Sequence, residues 1–94
     1  MIETKLYLPF SGKDGEKEIE AFLKLCVLPR FDGFITYKAT RNWRDAPENM
    51  IVLQIRHSHS DIDIQTIARI YCHVFNQHWI LRTDQEVSIE IIRK

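Results

Sequence analysis

The spacing of apolar residues along this chain switches repeatedly between two periods, and that alternation narrows the possible folds more than any other feature. Leu6, Leu8 and Phe10 alternate with Lys5, Tyr7 and Pro9, the period of two that marks a strand. Ser11-Gly12-Lys13-Asp14-Gly15 is a turn whose Ser11 or Asp14 can cap a helix starting just after it. Ile19, Phe22, Leu23, Cys26 and Val27 then recur at helical spacing. Glu16, Glu18 and Glu20 occupy the early turns, where the helix dipole favours negative charge, and Pro29 ends the segment. After Asp32-Gly33, the stretch Phe34 to Thr40 is rich in aromatic and β-branched residues and predicts a second strand. Asn42 to Asn49 reads as a loop, and Met50 to His57 as a third strand with Ile51, Leu53 and Ile55 on one face. Ile64, Ile67, Ala68, Tyr71, Val74 and Phe75 restore the helical period, with Ser60, Asp61 or Asp63 as cap. Trp79 to Arg82 is a short strand, Thr83-Asp84-Gln85 a turn, and Val87, Ile89 and Ile91 alternate in a last strand.

This order predicts an α+β protein: one domain over residues 1–94, built as a ferredoxin-like β-α-β-β-α-β plait. Its four-stranded antiparallel sheet carries both helices on one face, and its last strand is bent or extended. The expected core between helices and sheet is Ile19, Phe22, Leu23, Leu53, Ile55, Ile64, Ile67, Ala68, Tyr71 and Phe75. The helix-free face would gather Tyr7, Phe34, Thr36, Lys38, Val52, Gln54 and Arg56. That mixture is too apolar for open water and too polar for a sealed core. A homo-oligomer, a dimer joined through sheet surface or edge, is the expected remedy, with the last strand long enough to reach a neighbour.

Composition excludes several classes. Acidic and basic residues balance at 13 each, so no global field draws the chain to nucleic acid or to anionic lipid. No stretch approaches the ~18 apolar residues that read as a bilayer span. The start, MIETKLYLPF, lacks the basic opening and apolar run of a secretory signal, so a cytoplasmic address is expected. Cys26 and Cys72 sit inside helical patterns and read as reduced, half-buried thiols. No cofactor is implied.

Four stretches merit a chemical reading. Arg41-Asn42-Trp43-Arg44-Asp45 places two guanidinium groups beside an indole, a cluster suited to an anionic or flat ligand. Arg30 would join Arg41, Trp43 and Arg44 only across an oligomer, because ~10 extended residues separate it from Arg41 by ~33 Å. His57 and His59 lie two apart and, with Asp61, are the candidate metal ligands, although the same residues serve as a polar turn that caps the second helix. Leu6-Tyr7-Leu8 and Arg30 to Tyr37 partly resemble the signatures of RNA-recognition motifs. The second stretch falls on the wrong strand for that role, and no basic excess supports it, so nucleic acid is not an expected partner.

From Phe22-Leu23 through Pro29-Arg30-Phe31-Asp32-Gly33-Phe34 to Trp43, and again at Tyr71, Phe75 and Gln77, the chain resembles a family of small bacterial proteins of unassigned function. The shared pattern is Phe-Leu, Pro-Arg-Phe-x-Gly, Trp and Tyr-x-x-x-Phe-x-Gln, over roughly residues 5 to 82. Asn42 stands where that family usually has glycine before the tryptophan. The resemblance implies a fold and no activity. The function expected from the residues is an oligomeric binding module for a small anionic or flat molecule. The alternatives are a cofactor-free enzyme of the dimeric α+β barrel kind, of oxygenase or isomerase type, and a phage-type inhibitor acting by protein interaction.

Overall fold

A computed structural model describes residues 1–58 and 60–94. The chain runs through β1 (Ile2–Pro9), α1 (Gly15–Phe22), a π-type turn (Leu23–Val27), β2 (Ile35–Trp43), β3 (Ala46–His57), α2 (Asp61–Val74) and β4 (Leu81–Glu86). The strands form one antiparallel sheet in the order β2-β3-β1-β4. The α+β class read from the sequence is the class observed.

Register decides which side chains meet the helices. Leu6 pairs with Leu53, Leu8 with Ile51 and Thr4 with Ile55, so these residues share one face of the sheet. On it Leu6, Leu8, Leu53 and Ile55 pack with Ile19, Phe22, Leu23 and Val27 from the first helical segment and with Ile64, Ile67 and Tyr71 from α2. Phe22 lies edge-on to Tyr71 at 5.3 Å and to Phe75 at 5.9 Å, while Tyr71 and Phe75 stack at 4.3 Å. These offset and T-shaped contacts suit the ring quadrupoles and fix the distance between the helices. The Tyr71 hydroxyl donates to the Pro9 carbonyl and so ties α2 to the end of β1. Burial holds that hydroxyl un-ionised, with its pKa pushed far above the usual tyrosine value.

Ala68 and Phe75, expected in the core, are half-buried against it, and Val27, Phe31, Met50 and Val52 are buried as well. The helix containing Ile19 to Val27 changes pitch at Leu23, where the Leu28 N–H reaches back five residues to the Leu23 carbonyl at 3.0 Å. The wider turn still keeps Leu23 and Val27 buried, so the apolar stripe survives the change of pitch.

Three expectations need correction. The loop expected at Asn42 to Asn49 is a tight hairpin in which Trp43 pairs with Ala46 and only Arg44 and Asp45 form the tip. Arg44 adopts φ 55°, the left-handed conformation that a two-residue tip demands. Pro47 is tolerated because β1 pairs with β3 only over Met50–His57, leaving β3 a two-stranded arm before that point. That hairpin register, with Tyr37 opposite Val52, inverts β2 relative to expectation. Thr36 and Lys38 face the helices, as the 2.8 Å ion pair of Lys38 with Glu16 attests, while Phe34 precedes the strand and packs on the core. Tyr7, Val52, Gln54 and Arg56 do lie on the helix-free face, joined by Ile35, Tyr37, Ala39 and Arg41. Finally, β4 is Leu81–Glu86, so Thr83-Asp84-Gln85 is strand and not turn, and residues 87–94 lie outside the sheet. Pairing with β1, which sets Leu81 against Tyr7 and Glu86 against Ile2, overrides the higher β propensity of Val87, Ile89 and Ile91.

Replacing Phe22 with alanine removes both edge-on ring contacts and is expected to cost ~3–5 kcal/mol, read from the shift in the urea unfolding midpoint. Tyr71→Phe should cost ~1–2 kcal/mol by leaving the Pro9 carbonyl without its donor. A variant as stable as the parent would show that this hydroxyl contributes nothing.

Candidate functional site

The connection from α2 to β4 carries the chain from the helix layer to the opposite side of the sheet. Phe75 ends α2, and Asn76 takes φ 52°, the left-handed step common just past a helix. The Gln77 N–H then closes on the Cys72 carbonyl at 2.8 Å. His78, Trp79 and Ile80 come next as a wall at the end of the sheet. The other wall is the overhanging β2–β3 arm, with Arg41 and Glu48 directly paired across it. Between them lies a cavity of about 480 Å³ on the helix-free face. Tyr7, Pro9, Ala39, Met50 and Leu81 form its largely apolar floor, because the pairings Pro9–Met50–Ala39 and Tyr7–Leu81 put all five on that face.

Arg41 lies at the rim between two indoles. Its guanidinium carbon is 4.8 Å from the Trp43 ring and 5.2 Å from the Trp79 ring. The Arg44 guanidinium carbon also lies over Trp43, 5.9 Å from the ring centre. Trp43 and Trp79 are both exposed, so the stacking happens in contact with water. Among the described residues Arg41 takes part in no ion pair, although Glu48 lines the same cavity. A guanidinium lying over aromatic rings can still turn its N–H edge to a planar acceptor.

The candidates read from the sequence therefore divide. Arg41, Trp43 and Arg44 come together at the hairpin end, with Arg41 alone among them lining the cavity. Arg30 does not join them within the chain: it caps the end of the first helical segment, donating to the Cys26 carbonyl at 2.7 Å, and approaches Asp63 at 3.9 Å. Sequence reading missed Trp79, Tyr7 and Met50 as cavity residues. Trp79 had a signal, since an indole between His78 and Ile80 belongs to no periodic face and still needs a surface to cover.

At the histidine turn the described side chains are tied into a hydrogen-bond network. His59 lies outside the described residues. His57 is buried, and both ring nitrogens are engaged: the Ser60 N–H donates to Nδ1 at 3.3 Å, and Nε2 lies 2.7 Å from the Thr4 hydroxyl. The Thr4 hydroxyl in turn donates to Asp84 at 2.6 Å. With its proton committed to Asp84, Thr4 must accept from His57, which fixes the ring as the Nε2–H tautomer. Arg82 closes the network on Asp84 at 3.2 Å and on Asp61 at 2.8 Å. Asp61 thus serves Arg82, and Gln65 at 2.8 Å, as a helix-start residue. Among the described residues no group of three metal-ligating side chains occurs.

The fold and this face describe a small α+β protein whose sheet is covered on one side and hollowed at one end of the other. The chain belongs to the DUF3574 family, proteins of unknown function, whose model matches residues 3–91. No curated protein and no solved structure matches it. No helix among the described residues is long and apolar enough to cross a membrane.

The Thr4 hydroxyl, together with Arg82, holds the Asp84 carboxyl below its ordinary value. A lowered folded-state pKa means that the carboxylate stabilises the fold above the unfolded-state value and that this contribution fades as pH falls through the folded one. Asp84→Asn should therefore unfold more easily than the parent at pH 7, with the difference shrinking below about pH 4. Thermal unfolding across a pH series would show it, and a gap that stays constant into acid would refute the assignment.

Proposed function

We propose that this chain is a binding module for a small, flat anion, held in the cavity on the helix-free face with Arg41 as the anion contact. The architecture that carries the site is, on this reading, the ferredoxin-like plait. The chain order of strand, helix, strand, strand, helix, strand and the spatial order β2-β3-β1-β4 both support it.

The observation behind the ligand class is the pairing of a stacked arginine with an apolar floor. Tyr7, Met50 and Leu81 offer a planar ring a surface with few polar demands, while Arg41 offers a carboxylate two parallel N–H donors. A fully charged, compact anion would leave the floor unused, and a neutral ring would leave the guanidinium unpaired. An aromatic carboxylate uses both. Glu48 across the arm from Arg41 discriminates further, because a dianion would meet its repulsion. Binding is favoured over catalysis because the buried pair His57–Thr4, which reaches out to the exposed Asp84, has each proton committed internally among the described residues. It also lies at the opposite end of the sheet, where Ile2 pairs with His57, rather than at the Pro9–Met50 end.

Indole-3-carboxylate is a suitable probe, followed by the fluorescence of Trp79 and Trp43. Arg41→Ala should weaken it ~10–100-fold, the loss of a charged hydrogen-bond pair, and Arg41→Lys should recover only part of this. The neutral amide of the same ring should bind the parent as weakly as the acid binds Arg41→Ala. Equal affinity for acid and amide, or an Arg41→Ala protein that binds like the parent, would sink the proposal.

A further inference from the structure

The sheet order leaves β4 at an edge, paired with β1 on one side and open on the other. Past Glu86 the ladder ends with a single bond, the Val87 N–H to the Met1 carbonyl at 3.0 Å. Residues 87–92 keep the alternation of a strand while lying outside the sheet. Val87, Ile89 and Ile91 continue the phase of Leu81, Thr83 and Gln85. Ile89 is 44% exposed, Ile91 75% and Ile92 85%. An apolar segment of this kind, joined to the sheet by that one bond and open on its other side, is the sort of edge that proteins ordinarily blunt with charge or proline.

We propose that residues 87–92 continue β4 and pair antiparallel with the same residues of a second copy of this chain, Ile89 facing Ile89 across a two-fold axis. This does not depend on the cavity binding any ligand.

The choice of occupant and register comes from backbone direction and charge. Because the Val87 N–H points towards β1, the even-numbered residues of a continued strand present their N–H and C=O groups to the open edge. A two-fold axis normal to the sheet keeps each residue on the same face in both copies, so only pairings between residues of like parity are allowed. With Ile89 on the axis, Val87 meets Ile91 on the face continuous with the cavity floor. On the other face Ser88 meets Glu90, and Asp84 meets Lys94. Moving the axis one residue forward sets Glu90 against Glu90. Moving it one residue back sets Glu90 against Glu86. Like charges directly opposite destabilise a strand pair, so of these three registers only the one centred on Ile89 avoids the penalty while aligning the apolar side chains. The axis also falls at a non-hydrogen-bonded pair, where opposing side chains approach most closely.

Cysteine cross-linking reads the register directly. In a Cys26→Ala, Cys72→Ala background, Ile89→Cys should oxidise to a covalent dimer, with peptide mapping placing the bridge at position 89. Ile91→Cys should cross-link at least tenfold more slowly, since in this register the two copies of position 91 lie four residues apart. That is ~13 Å along the strand, beyond disulfide reach. Sedimentation of the unaltered chain at 100 µM should give the mass of two subunits, and Ile89→Asp that of one, with an unchanged circular dichroism spectrum showing that the fold persists. Cross-linking at position 91 as fast as at 89, a single-subunit mass for the unaltered chain, or a dimer that survives Ile89→Asp would each overturn the proposal.

Discussion

Two antiparallel ladders run along β1, one to β3 over Ile2–Pro9 and one to β4 over Ile2–Tyr7. Because β1 is interior, its alternation fixes both faces of the molecule at once. Thr4, Leu6 and Leu8 turn towards the helices and are fully buried, while Lys5, Tyr7 and Pro9 turn the other way. A slip of one residue in either ladder would exchange these sets, burying a lysine and exposing two leucines. The core and the cavity floor are therefore consequences of one register. Leu6 and Leu8 anchor the first, and Tyr7 and Pro9 begin the second.

At the other end of β1 the same strand bears the one buried polar network of the described residues. Thr4 sits on the helix-facing side among Ile55 and the aliphatic core, where an unpaired hydroxyl would be costly. It is satisfied twice, by His57 from β3 and by Asp84 from β4, so the network crosses both ladders and joins three strands. Arg82 extends it to Asp61 at the start of α2. No buried side-chain nitrogen or oxygen among the described residues lacks a partner. A network of this kind favours one strand pairing over its neighbours, because any slip orphans several groups together.

Much of this was legible in the sequence, and the parts that were not share a cause. Both helices declared themselves because Ile19, Phe22 and Leu23, like Ile64, Ile67 and Tyr71, recur at a spacing only a helix puts on one face. Only the start of β4 showed in the sequence, as the short strand ending at Arg82; the rest was hidden because Thr83 to Glu86 carry no apolar alternation. Its identity lies in partners on β1, and a pairing between positions 4 and 84 leaves no local trace. Pro47 and Asn49 concealed the hairpin arm for a related reason, since they are poor strand residues that survive where β3 has a neighbour on one side only. Arg41, Trp43 and Arg44 stood out as a cluster because they are close together in the chain. The wall opposite them, His78 to Ile80, comes from the far end of α2 and becomes their neighbour only once the sheet has formed.

The placement of β1 also shapes how the chain reaches its folded state. The β2–β3 hairpin and the two helices are local and can form early, but β1 must find β3 across some fifty positions and β4 across some eighty. In refolding, β1 can therefore dock on β3 before β4 covers its second edge. In that interval the partly folded chain presents a bare strand whose helix-facing side is Thr4, Leu6 and Leu8. The lysine at position 5 lies within that stretch and the proline at position 9 just past it, and both discourage a stray strand from adding to it.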